Sequence, residues 1–99
     1  MWCITRDFID DGYSVGVCSP DCAINFNKKT LSSKISEIEA EMPFRFRMLD
    51  DDDELYYIGY SSDNETINAF DALDDFGIPN AGCTEIQYFN QNNGQWEVL

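Results

Sequence analysis

No histidine occurs among the 99 residues, and that absence limits the chemistry the rest can do. Ser–His and Cys–His relays need an imidazole as base beside the nucleophile, so they are ruled out. Cys18 and Cys22 stand at a Cys-x3-Cys spacing, and Cys3 and Cys83 could join them as a four-thiolate zinc site. A structural zinc site normally uses two close pairs, and only one is present, so no metal and no other cofactor are expected. Asp50-Asp51-Asp52-Asp53-Glu54 offers carboxylates to Ca²⁺, but it lacks the alternating ligands, central Gly and terminal Glu of a calcium loop. Asp75-Phe76-Gly77 spells the magnesium motif of kinases with no glycine-rich or catalytic loop to accompany it. Asn64-Glu65-Thr66 is a glycosylation sequon, which matters only in a secreted chain. The expected catalytic residues are therefore none.

The carboxylates remain as a collective feature. Nineteen Asp and Glu face six Lys and Arg, for a formal charge of −13. Residues 1–47 hold all six bases (Arg6, Lys28, Lys29, Lys34, Arg45 and Arg47) and seven acids, whereas residues 48–99 hold twelve acids and no base. Phosphate affinity comes mainly from Lys and Arg, so direct nucleic-acid binding is disfavoured. The charge also exceeds the magnitude of about 2 to 8 that solubility asks of a small domain, and its self-repulsion lowers stability.

The elements that must carry these residues follow from pattern. Length fits one domain, 1–99, and 43% apolar with 14% aromatic residues is enough for a core. Trp2, Ile4, Arg6 and Phe8 alternate with Cys3, Thr5 and Asp7 as a first strand; Asp10-Asp11-Gly12 signals a turn, and Tyr13, Val15 and Val17 predict a second strand completing a hairpin. Leu31, Ile35, Ile38 and Met42 share one face of a 3.6-residue period, predicting one main helix over 31–42 with Thr30 as N-cap and Pro43 as stop. PFRFRML and ELYYIGYSS predict a second hairpin, with Phe44, Phe46 and Met48 on one face, Arg45 and Arg47 on the other, and Asp50–Asp53 at its tip. Ile67, Phe70, Leu73 and Phe76 suggest a short helix or tucked loop ending at Gly77, followed by a turn-rich connection at 78–82. CTEIQYF and the residues after Asn93-Gly94 predict a closing hairpin. The sum is an α+β fold, an antiparallel sheet of about five or six short strands with the helix packed on one face.

No run approaches the ~20 apolar residues of a membrane span, and the N-terminal MWCITRDFIDDGYS has no basic segment leading into an apolar one. A cytoplasmic protein with reduced thiols is the expectation, with no membrane contact.

In size, acidity, lack of catalytic residues and α+β layout, the whole chain resembles small anti-defence proteins of phages and mobile elements, of the anti-CRISPR and anti-restriction type. It resembles them in general character and shares no family motif, so the resemblance assigns no residues. It implies an inhibitor that mimics nucleic acid and occupies a basic surface of a DNA- or RNA-handling enzyme. The residues themselves put forward Asp50, Asp51, Asp52, Asp53, Glu54, Asp71, Asp74 and Asp75 as the charged contact set, with Tyr57 and Tyr60 as aromatic anchors. Immunity proteins that neutralise toxic nucleases share the same character, and an acidic interaction module of no special target is a third alternative. Within any of them, the Asp run can also be a solvated turn and each Tyr a core residue.

Overall fold

The alternation of Phe44, Phe46 and Met48 with Arg45 and Arg47 forms the centre of the sheet. The computed structural model describes residues 1–99. It contains strands β1 (Trp2–Asp7), β2 (Phe44–Leu49), β3 (Leu55–Ser61), β4 (Glu85–Asn90) and β5 (Gln95–Val98). They form one antiparallel sheet in the order β1-β3-β2-β4-β5. The fold is α+β with five strands.

Register divides the side chains between two faces. Phe46 pairs with Gly59 and Tyr88, Met48 with Tyr57 and Ile86, and Ile4 with Gly59. Because direct partners point the same way, one face carries Trp2, Ile4, Phe46, Met48, Tyr57, Ile86 and Tyr88. This face buries itself under Ala69, Ala72, Leu73, Phe76 and Cys83, forming the larger core cluster. Gly59 is required where β3 passes between β1 and β2, since a Cβ there would lie 2.0 Å from the Cys3 carbonyl oxygen and 2.6 Å from the Phe46 ring.

The covering layer is a helical run. A 3₁₀ turn (Ile67–Phe70), a π turn (Leu73–Gly77) and the short α2 (Ile78–Ala81) follow one another. The tucked segment expected to stop at Gly77 instead continues through the residues expected to be a turn-rich connection. Pro79 sits in the first turn of α2, where its missing N–H costs nothing, and Gly82 in left-handed conformation (φ 68°) ends the run.

The other face meets α1 (Leu31–Glu41). Ile38 and Met42 are fully buried with Cys3 and Ile24, while Leu31 and Ile35 are half-buried. The expected stripe thus packs most closely toward its C-terminal end. Thr30 does not cap the helix through its side chain. Asn27 has taken that hydroxyl: Thr30 Oγ1 accepts from the Asn27 N–H at 2.9 Å and donates to Asn27 Oδ1.

The N-terminal hairpin does not form. Residues 13–16 make turns, only Cys18 pairs with Cys3 as an isolated bridge, and β1 pairs with β3 instead. Asp7 is the cause. Its carboxylate accepts from the N–H groups of Ile9 (3.0 Å), Asp10 (3.1 Å) and Ser14 (3.0 Å), winding the chain into a loop where a straight return strand was expected. The loop's end still lies along β1, with the Ile4 N–H donating to Val17 O at 2.8 Å and the Gly16 N–H to Ile4 O at 3.0 Å, so that sheet edge is closed.

Candidate interaction surfaces

Asp50 holds the acidic tip in shape. Its Oδ1 accepts from the N–H groups of Asp52 (2.8 Å) and Glu54 (2.9 Å), and its Oδ2 from the Tyr56 hydroxyl at 2.9 Å. These bonds, the one from Glu54 first, hold the Asp50 carboxyl below its ordinary pKa, and the same contact with Asp50 raises that of Tyr56. Asp50 is thus turned inward to its own turn, and Asp51, Asp52, Asp53 and Glu54 are left exposed around it. Asp53 takes the left-handed conformation (φ 61°) that Asp tolerates better than most residues.

Asp71, Asp74 and Asp75 form a second acidic patch on the helical run. Asp74 and Asp75 are exposed, and burial of their neighbours Leu73 and Phe76 fixes their backbone to the core. Asp71 is half-buried, and desolvation followed by the charge of Asp75 raises its pKa. Asp63 closes the loop before this run, accepting from the N–H groups of Glu65 (2.8 Å) and Thr66 (3.0 Å) and from the Thr66 hydroxyl.

The two tyrosines part company. Tyr57 is only 2% exposed and meets Phe76 edge-on at 4.9 Å, so it is a core residue and cannot anchor a partner at the surface. Tyr60 projects from the opposite face, half-buried beside α1, with its hydroxyl donating to Glu39 at 3.1 Å. The fold does not bring this pair together.

Ion pairing is sparse and one-sided. The salt bridges join Lys28 to Asp11, Lys34 to Glu37 and the N-terminal ammonium to Asp21. None of the twelve acids after Met48 takes part in one. Arg45 and Arg47 are engaged elsewhere: their guanidinium carbons lie 5.7 Å and 4.7 Å from the centroid of the Trp96 ring. Phe89 meets Trp96 edge-on at 5.2 Å, and Arg47 Nε donates to Gln87 Oε1 at 2.7 Å. This Arg–Trp platform lies on the face that α1 covers only in part. Sequence reasoning missed it, because Arg45 and Arg47 share a face by alternation but meet Trp96 only through strand order.

The largest concavity, about 460 Å³, lies beside β4 and β5 and includes Asn64, Tyr88, Asn90 and Glu97. Burial pushes the Tyr88 hydroxyl up to about 12, and it donates to Ala69 O at 2.8 Å. Glu97 accepts from Asn90 and Asn93. The thiols are divided, with Cys3, Cys18 and Cys22 on the α1 face and Cys83 in the core under the helical run, so they do not assemble a four-thiolate centre. No helix is long and apolar enough to cross a membrane.

The sequence matches no protein-family model, and no curated protein or solved structure matches the chain.

Proposed function

We propose that this chain is a non-enzymatic acidic binding protein, an inhibitor that presents nucleic-acid-like charge to the basic surface of a DNA- or RNA-handling defence enzyme. The observation that carries the proposal is the set of twelve acids after Met48, none neutralised by a salt bridge although the chain has six basic side chains. Charge left uncompensated on a well-held hairpin tip and helical run raises the association rate with a cationic groove and weakens as salt screens it. Asp51, Asp52, Asp53, Glu54, Asp74 and Asp75 supply that charge. Tyr57, buried against Phe76, drops out as an anchor, and Tyr60, half-buried beside α1, remains in that role.

The test is capture from a bacterial lysate on the immobilised protein, at physiological and raised salt, with duplex DNA as competitor. A second column carries the variant with Asp51, Asp52 and Asp53 changed to Asn and Glu54 to Gln. The expected result is a nucleic-acid-binding enzyme retained by the native chain, displaced by salt and by DNA, and lost from the variant. Equal retention by the variant, or indifference to DNA, overturns the mimic.

A further inference from the structure

Three of the four thiols meet at one place. Cys3 and Cys18 face each other as an antiparallel bridge, flanked by bonds from the Ile4 N–H to Val17 O (2.8 Å) and from the Ser19 N–H to Trp2 O (2.9 Å). The chain then turns, with the Cys22 N–H donating to Ser19 O at 3.0 Å, so that it doubles back toward Cys18. After burial, the neighbouring Cys22 is what raises the Cys18 thiol; Cys22 Sγ donates to Ile24 O at 3.9 Å, and both thiols pack against the cluster of Cys3, Ile24, Ile38 and Met42. Cys3 is fully buried, whereas Cys18 and Cys22 are half-buried and open to small molecules.

We propose that Cys18 and Cys22 are a site of oxidative modification, a dithiol that a hydroperoxide converts to an intramolecular disulfide across the Ser19–Cys22 turn while Cys3 and Cys83 stay as thiols. The Cys22 sulfur, as thiolate, attacks one peroxide oxygen; the O–O bond breaks, and the departing hydroxide takes up the proton Cys22 released, giving water and a sulfenic acid. The Cys18 sulfur then attacks the sulfenic sulfur. The S–S bond forms, the S–O bond breaks, and hydroxide leaves as a second water with the proton from Cys18. Two electrons pass from the two thiols to the peroxide. Burial pushes the Cys18 thiol up to about 11, so this second step is slow at neutral pH and quickens as pH rises. The bond would fix the strap in which Ser19 Oγ accepts from the Trp2 N–H at 2.9 Å and Asp21 holds the N-terminal ammonium at 3.4 Å.

The placement of the basic residues makes the pairing directly readable. Trypsin cuts after Arg6 and Lys28, so Cys18 and Cys22 fall in one peptide, 7–28, Cys3 in the peptide 1–6 and Cys83 beyond Arg47. The native protein is exposed to hydrogen peroxide at pH 7 and pH 9, blocked with an alkylating reagent and digested. The expected product is peptide 7–28 unalkylated and lighter by two hydrogen atoms, formed faster at pH 9, reversed by a dithiol reductant and absent from Cys22→Ala. A link between peptides 1–6 and 7–28, a dimer joined between chains, or full alkylation of both thiols after prolonged exposure overturns the proposal. The native chain alone decides between these outcomes, so the result does not depend on the variant folding.

Discussion

The guanidinium of Arg47 lies 4.7 Å from the centre of the Trp96 indole, joining the second strand in sequence to the last across β4. Trp96 is half-buried, whereas Trp2 is 5% exposed beneath the helical run. Trp2→Phe leaves Trp96 as the sole tryptophan, and its emission, excited at the red edge where tyrosine does not absorb, is expected to lie to the red of native and to be readily quenched by acrylamide. Trp2→Phe also removes the one buried side-chain donor with no partner, an indole N–H, which offsets part of the packing lost. Arg47→Ala in that background should shift the emission again; an unchanged spectrum would refute the contact.

Asp7 fixes the loop that replaces the expected second strand. Removing its carboxylate leaves three backbone donors without their acceptor. Asp7→Ala is expected to cost about 2 kcal/mol. Asp10→Ala, at an exposed position of the same loop, should stay within about 0.5 kcal/mol. Urea denaturation would show this as a lower midpoint at constant slope for the first variant only. Equal midpoints would remove Asp7 from its organising role.

Gly59→Ala tests the close approach of β3 to its neighbours. Backbone lies 2.0 Å from the added carbon, so relief requires the strands to part, at about 3 kcal/mol or more. Gly94, with positive φ (72°) and open space around it, is the control: Gly94→Ala should cost only about 1 kcal/mol, from backbone conformation alone. Thermal melts of the two variants should rank in that order.

Alkaline pH should unfold the chain earlier than acidity of its surface implies. Burial raises the Tyr88 hydroxyl from 10.0 to about 12 and the Cys3 thiol from 9.0 to about 12. A folded-state pKa above the unfolded one means that the unfolded chain releases its proton first. The contribution is therefore complete below about pH 9 for Cys3 and pH 10 for Tyr88, and is lost as pH rises toward 12. Tyr88→Phe should lose about 1 kcal/mol of hydrogen bonding at pH 7 yet decline less steeply between pH 10 and 12. Parallel curves for the two proteins in that window would contradict the linkage.

Changing Asp51, Asp52 and Asp53 to Asn should raise the melting temperature at low salt, because the native carboxylates repel one another and pair with no cation. The gain should fade as the Debye length falls from ~30 Å at 0.01 M to ~3 Å at 1 M salt. A lower melting temperature at low salt would mean that the tip stabilises the fold, which would remove repulsion as a cost of keeping it.

The central hairpin, the helix and the last hairpin were legible in the sequence because each rests on local alternation, a 3.6-residue period or a turn signal. The acidic tip was legible for the same reason, although the inward turn of Asp50 was not: its side chain is captured by donors that exist only once the turn has closed. The N-terminal hairpin misled because Tyr13, Val15 and Val17 alternate correctly, while Asp7 binds N–H groups as far on as Ser14 and bends the segment away. No local pattern ranks a carboxylate's claim on the backbone above a strand's.

The amino-acid sequence by itself determined the α+β class, the charge of −13 and its concentration after Met48, and the absence of imidazole chemistry. Only the tertiary structure decided which tyrosine is buried, which carboxylates stay unpaired and where the arginines go. Alternation puts Tyr57 and Tyr60 on opposite faces of β3, but burial depends on which layer covers each face. The helical run closes over Tyr57, and α1 leaves Tyr60 half open. Strand order, set by pairing between distant segments, then brings Trp96 to Arg45 and Arg47 and leaves the acids of the second half without cations. Contacts between residues that far apart form only when the whole sheet has assembled, so no local pattern in the sequence records them.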